Sequence, residues 1–150
     1  MSGANELGQL VAARIREVGE AVPGSIGDQM AFEVIASDEE KREVTMTCRT
    51  APWMCNFAGT LHGGMCATIV DQAMGFVSYC LKPGEGAAPT VQLSVNYHRP
   101  LIPGEKVMVR VCAQSVTRSL MHLYSEAFLA DAPEKICLTA TGVYFYKAAK

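Results

Sequence analysis

Residues 56–81, NFAGTLHGGMCATIVDQAMGFVSYCL, decide how the rest of the chain is read. From Gly64 to Leu81 the run is long enough for about five turns of helix and is apolar on nearly every side, the mark of a helix enclosed by other elements. Between Arg49 and Lys82 the only formally charged side chain is Asp71. An ionised carboxylate inside such a run is costly unless it finds a partner, solvent or a chemical role. Asp71, Gln72 and Gly75 in the middle of the run, and the lack of basic residues on its N-terminal side, argue for a buried helix and against a membrane span.

His62-Gly63-Gly64 stands where this helix begins. The first N–H groups of a helix have no intrahelical acceptor, the dipole favours negative charge there, and glycines let a ligand approach the backbone. These are the ingredients of an oxyanion site for an acyl carbonyl, the bland alternative being a plain glycine-rich turn. Asp71 follows His62 by nine residues, which at 100° and 1.5 Å per residue puts it on the opposite side of the helix and about 13 Å along it. For both to serve one site, the simplest arrangement is a two-fold dimer in which the helix start of one chain faces Asp71 of the other. The helical neighbours of Asp71 are small: Gly64, Ala67, Thr68, Gly75 and Ser78. They leave room for a substrate groove beside a general base or attacking carboxylate, whereas a neighbouring hydroxyl that merely satisfies a core aspartate is the structural alternative.

Working outward, Leu7, Leu10, Val11, Ile15 and Val18 form a helical stripe over about residues 5–18. Strand-like runs follow at 29–36 and 41–48, where Val44, Met46 and Cys48 alternate with polar residues. Trp53 and Met54 read as loop anchors in the core, and KPGEGAAP, beginning at Lys82, closes the long helix. Four further strands come next: Val91, Leu93, Val95 and Tyr97 alternate in the first, and Val107, Val109 and Val111 in the second. Met121 to Leu129 make the third and Ile136 to Tyr146 the fourth, with turns at Ser115–Ser119 and DAPEK. The expected fold is α+β: a six-stranded, mostly antiparallel sheet curled around a central helix at about 62–81, with an N-terminal helix, in one domain over 1–150.

Composition removes several functions. A net charge of -2 with 19% charged residues offers no footprint for nucleic acid. Glu6, Arg14, Arg16 and Glu17 interrupt any signal-peptide pattern, so a cytoplasmic location is expected. Six cysteines without a CxxC pair read as reduced core thiols, and no metal is expected. His98 and His122 fall on polar strand faces, and the absence of a GxSxG elbow or Ser-His-Asp order argues against a serine hydrolase.

The combination N-x-x-G-x-x-HGG from Asn56, Asp71 seven residues beyond Gly64, the strand TVQLSVNYHRP and the final TATGVYF resembles the hotdog-fold acyl-CoA thioesterases. The branch is that of the phenylacetate-pathway enzymes and the mammalian thioesterase-superfamily members, and the likeness runs from about Gln29 to Tyr146. The resemblance implies a sheet wrapped around the long helix, homodimers with sites at the interface, and commonly a dimer of dimers. It implies Asp71 as general base or nucleophile, Asn56 and His62 near the thioester and water, Gly63 as backbone donor to the thioester carbonyl, and Thr90 as a hydroxyl that orients water. Arg99 and Arg118, with Lys82 and Lys106, become phosphate partners for CoA, which enters as part of the substrate and not as a cofactor. His98 departs from the family pattern. Two alternatives remain: an enoyl-CoA hydratase or dehydratase, whose His-Phe-Pro-Gly or Asp-x-Asn-Pro signatures are missing, and a non-catalytic acyl-CoA-binding module.

Overall fold

The computed structural model describes residues 5–82 and 88–146. Helix α1 (Glu6–Ala21) starts at Asn5, whose side chain accepts from the Gly8 N–H while the Ser37 hydroxyl donates to the same oxygen, fastening the helix start to the sheet. The helix outruns the expected end at residue 18 and passes through Gly19. Leu7 and Val11 are buried, Ile15 and Val18 half-buried, and Leu10 lies exposed at the margin of the stripe. A one-turn helix α2 (Ile26–Gln29), capped by the Ser25 hydroxyl, occupies the start of the run expected to be strand from residue 29. Local side-chain bonding to the backbone wins there, and Ala31, at φ 43, reverses the chain before β1 (Glu33–Asp38).

Strands β2 (Glu43–Cys48), β3 (Thr90–Tyr97), β4 (Val107–Val116), β5 (Leu120–Leu129) and β6 (Ala132–Phe145) complete a sheet in the order β1-β2-β4-β5-β6-β3, every neighbouring pair antiparallel. β6 begins earlier than expected. Leu129 pairs with Ala132, so only Ala130 and Asp131 turn the chain, and Pro133 is accommodated near the strand start, where the register of β5 and β6 shifts. β4 likewise runs to Val116, leaving Thr117–Ser119 as the turn.

Helix α3 (Gly63–Leu81) is the long central helix, with His62 as its N-cap. Ile69, Val70, Ala73, Met74, Phe76 and Val77 are buried, meeting sheet residues such as Val44, Met46, Val109 and Leu123 in one core. Phe76 meets the ring of Phe32 edge-on at 5.6 Å, and the Arg14 guanidinium of α1 lies 3.8 Å over Tyr79. The sheet therefore covers most of α3 and α1 covers part of the rest. Pro52–Met54 form a short 3-10 turn that buries Met54 but leaves Trp53 55% exposed, so Trp53 is not the core anchor expected of it. Residues 83–87, expected to close α3, lie outside the described residues. Among the described residues no helix is long and apolar enough to cross a membrane.

Candidate active site

The loop before α3 is built by two residues of the N-x-x-G-x-x-HGG motif. Asn56 Oδ1 accepts from the Ala58 and Thr60 N–H groups, and its Nδ2 donates to the Thr60 hydroxyl. Gly59, at φ 80, lets the loop close so that the Asn56 N–H reaches the Thr60 carbonyl. The Asn56 amide is thus committed to the turn, and its part is to place the segment that follows. Beyond it, His62 donates its N–H to the Met54 carbonyl and accepts the Gly64 N–H on Nδ1 at 3.1 Å. That bond leaves Nε2 as the donor of the neutral ring. Among the described residues no acceptor meets the Gly63 N–H, the first of the helix. The Tyr97 hydroxyl donates to the Gly63 carbonyl at 2.8 Å, pinning the turn to the end of β3.

Asp71 lies two turns further on, half-buried, on a strip of α3 shared with Gly64, Ala67, Thr68 and Gly75. A Cβ added to Gly75 would meet nothing within 4 Å, so the helix backbone there borders open space. Asp71 Oδ1 accepts from the Thr90 hydroxyl at 2.8 Å and from the Tyr144 hydroxyl at 2.7 Å. Among the described residues nothing pairs with Oδ2. The lone charge of the helix is therefore held by two neutral donors on one oxygen and open on the other. Thr90 was legible in the sequence and Tyr144 was not. Burial, and then its bond to Asp71, push the Tyr144 hydroxyl well above the usual range, so it stays a proton donor.

The sequence profile of the thioesterase superfamily matches residues 58–135, more than half of the chain. The chain belongs to the thioesterase superfamily. Its helix wrapped by a six-stranded antiparallel sheet is the hotdog fold. Acyl-coenzyme A thioesterase THEM4 of Bos taurus is 30% identical over 127 residues, covering 72% of this chain and 50% of that protein, so the chain spans about half the length of this curated relative. A phenylacetic acid degradation-related protein from Ralstonia eutropha shares the fold at a TM-score of 0.76 and 18% identity, covering 91% of this chain and 99% of the other. A Streptococcus mutans protein bound to acetyl CoA shares it at a TM-score of 0.68 and 22% identity, over 79% and 90% of the two chains.

In this superfamily member a single chain brings together Asp71, Thr90 and the open strip of Gly64 and Gly75, but not everything the sequence assigned. Gly63 is eight residues, about 12 Å of helix, from Asp71. Ser78 shares the angular phase of Asp71 yet is fully buried, its hydroxyl donating to the Gly75 carbonyl at 2.9 Å, so it does not line the open strip. Arg99 donates to the Ile136 carbonyl at 2.7 Å and borders a cavity of about 220 Å³ with Leu61, Cys66, Tyr97 and Leu101. Arg118 sits in the turn before Leu120, which pairs with Phe145, so about 30 Å of β6 separates the two arginines. One chain does not offer both to one CoA molecule. Lys82 donates to the Thr117 and Arg118 carbonyls, tying the end of α3 to that turn. His98 Nε2 lies 2.9 Å from the Thr139 hydroxyl on an exposed part of the sheet. Burial raises the thiols of Cys48, to about 12, and of Cys66, which keeps them protonated and poor nucleophiles. Among the described residues no group of three or more His, Cys, Asp or Glu is placed to hold a metal ion.

Proposed function

We propose that the chain hydrolyses the thioester of small or medium acyl- or aryl-acyl-CoAs to free acid and CoA. The observation that carries the reading is Asp71, a carboxylate with one oxygen restrained by hydroxyls and the other without a partner among the described residues, one turn from Gly75, where the helix backbone borders open space. The Gly63 N–H polarises the thioester carbonyl and stabilises the oxyanion as water, activated by Asp71, adds to it. His62 and Asn56 hold the turn that aims this N–H, and CoA leaves as the thiol. CoA is part of the substrate and no further cofactor takes part. The names of the bovine relative, an acyl-coenzyme A thioesterase, and of the Streptococcus mutans structure, bound to acetyl CoA, support this substrate class.

The working unit is a homodimer, because about 12 Å of helix between Gly63 and Asp71 is too far for one thioester and one water to bridge, whereas a two-fold partner supplies the missing half. Support comes from β3, an edge strand with Val91 60% and Tyr97 54% exposed, whose free side can continue the sheet into a second copy. Arg99 and Arg118, distant in one chain, can then serve CoA phosphates from different chains. Exposed Trp53 and Phe57 offer apolar surface for pairing dimers into a tetramer. Six cysteines without a disulfide among them favour a reducing, cytoplasmic setting.

The test is a panel of aryl-, short- and medium-chain acyl-CoAs assayed side by side for free-thiol release and enoyl-CoA hydration. Thiol release from at least one acyl-CoA, without hydration, is the expected outcome. Hydration without thiol release would assign a hydratase, and binding with neither reaction would assign an acyl-CoA-binding module.

A further inference from the structure

Tyr144 belongs to the TATGVYF strand and lies beyond residue 135, where the superfamily match ends. It is only 1% exposed, and its hydroxyl has two acceptors in reach, both on one residue: Asp71 Oδ1 at 2.7 Å and the Asp71 carbonyl at 3.1 Å. A buried hydroxyl whose two acceptors both belong to the helix residue it faces, with the Thr90 hydroxyl beside it, acts as a clamp on that residue. Thr90 is the direct cross-strand partner of Tyr144, so the two hydroxyls arrive side by side from neighbouring strands and converge on the same oxygen.

Gly142 makes this geometry possible. It lies two residues before Tyr144 and so on the same face of β6, and a Cβ there would come within 2.7 Å of Tyr144 Cε2 and 3.1 Å of Met74 Cε. No side chain fits between the strand and the Tyr144 ring. The glycine of TATGVYF is where it is because the ring lies across it.

We propose that Tyr144, seated on Gly142, is a positioning residue that with Thr90 fixes the rotation of the Asp71 carboxylate, making Oδ2 the oxygen that meets water. The inference rests on the thioesterase reading above. In the hydrolytic step, the water oxygen bonds to the thioester carbon as one of its protons passes to Asp71 Oδ2. Collapse of the intermediate then breaks the C–S bond, and that proton goes to the departing sulfur. Without the clamp the carboxylate can turn, and the unpaired oxygen spends part of its time pointed away from the water.

Tyr144→Phe tests this, because it removes the hydroxyl and keeps the ring against Gly142 and Met74. The expected result is a kcat for thiol release reduced about 10- to 100-fold, with KM within about twofold of wild type because the open strip is untouched. In crystals of the variant the Asp71 carboxylate should adopt more than one orientation. Gly142→Ala keeps the hydroxyl but displaces the ring, and should lower kcat in the same selective way; if Y144F does not fold, this variant decides. An unchanged kcat, a loss carried by KM, or an Asp71 carboxylate that keeps a single orientation in the variant overturns the assignment. A wild-type chain that releases no thiol from any acyl-CoA would overturn the thioesterase reading instead, and the orientation of Asp71 in the variant would still decide the positioning role.

Discussion

Strands β3 and β4 are written in the same alternating pattern, Val91, Leu93, Val95 and Tyr97 in one, Val107, Val109, Val111 and Ala113 in the other. In β4 all four apolar positions are buried. In β3 the outer two are exposed and Leu93 and Val95 are only half-buried. The difference is position in the sheet. β4 lies between β2 and β5, whereas β3 is the last strand, bonded to β6 alone. β3 nonetheless supplies two of the strand contacts to this part of α3, Thr90 to Asp71 and Tyr97 to the Gly63 carbonyl, and its neighbour β6 adds Tyr144 to Asp71. Alternation reports which side chains share a face; it does not report whether that face is covered within one chain. The strand left incomplete is one of the two that reach the candidate site on α3.

Four substitutions press on this contrast between a strand for stability and a strand for function. Asp71→Asn removes the group that β3 serves, and should lower thiol release by about 10²- to 10⁴-fold while circular dichroism and sedimentation stay as in wild type. Turnover near the wild-type rate would end the functional half of the contrast. Val109→Ala in β4 should cost about 2 kcal/mol in urea unfolding, from lost burial plus a cavity. In the same measurement Val91→Ala in β3, made in dilute protein, should cost less than about 0.5 kcal/mol. Equal costs would mean that β3 is a core strand after all. Thr90→Val, which keeps shape and removes the donor, should reduce kcat about tenfold, as the loss of a charge-assisted hydrogen bond, with little change in the unfolding midpoint. A large stability loss here would move Thr90 from the site to the scaffold.

Much of the fold is legible because its causes are local. The step of three and four in Leu7, Val11, Ile15 and Val18 marks a buried helix face, and α1 packs through it. Val44, Met46 and Cys48 alternate into the core as their spacing requires. The errors fall where a neighbour in space outweighs a neighbour in sequence. Pro133 reads as a turn residue but lies inside β6, because the Leu129–Ala132 pairing closes the hairpin in two residues. Trp53 reads as a core anchor, but the 3-10 turn sends Met54 inward in its place. Ser78 has the helical phase of a groove residue and is buried, because phase describes direction around the axis and not what stands opposite.

The site divides along the same line. The sequence by itself determined the helix start at His62-Gly63-Gly64 with an unpaired N–H at Gly63, the lone carboxylate at Asp71 and its small neighbours, since all of these lie within one helix and the turn before it. Only the tertiary structure decided that Tyr144, 73 residues from Asp71, reaches that carboxylate, and that Arg99 and Arg118 lie at opposite ends of the sheet. Periodicity and capping act over one or two turns of chain. The meeting of distant residues is set by strand register, including the shifts between Thr90 and Gln92 and between Phe128 and Leu129, and register is a property of paired strands that neither strand carries alone.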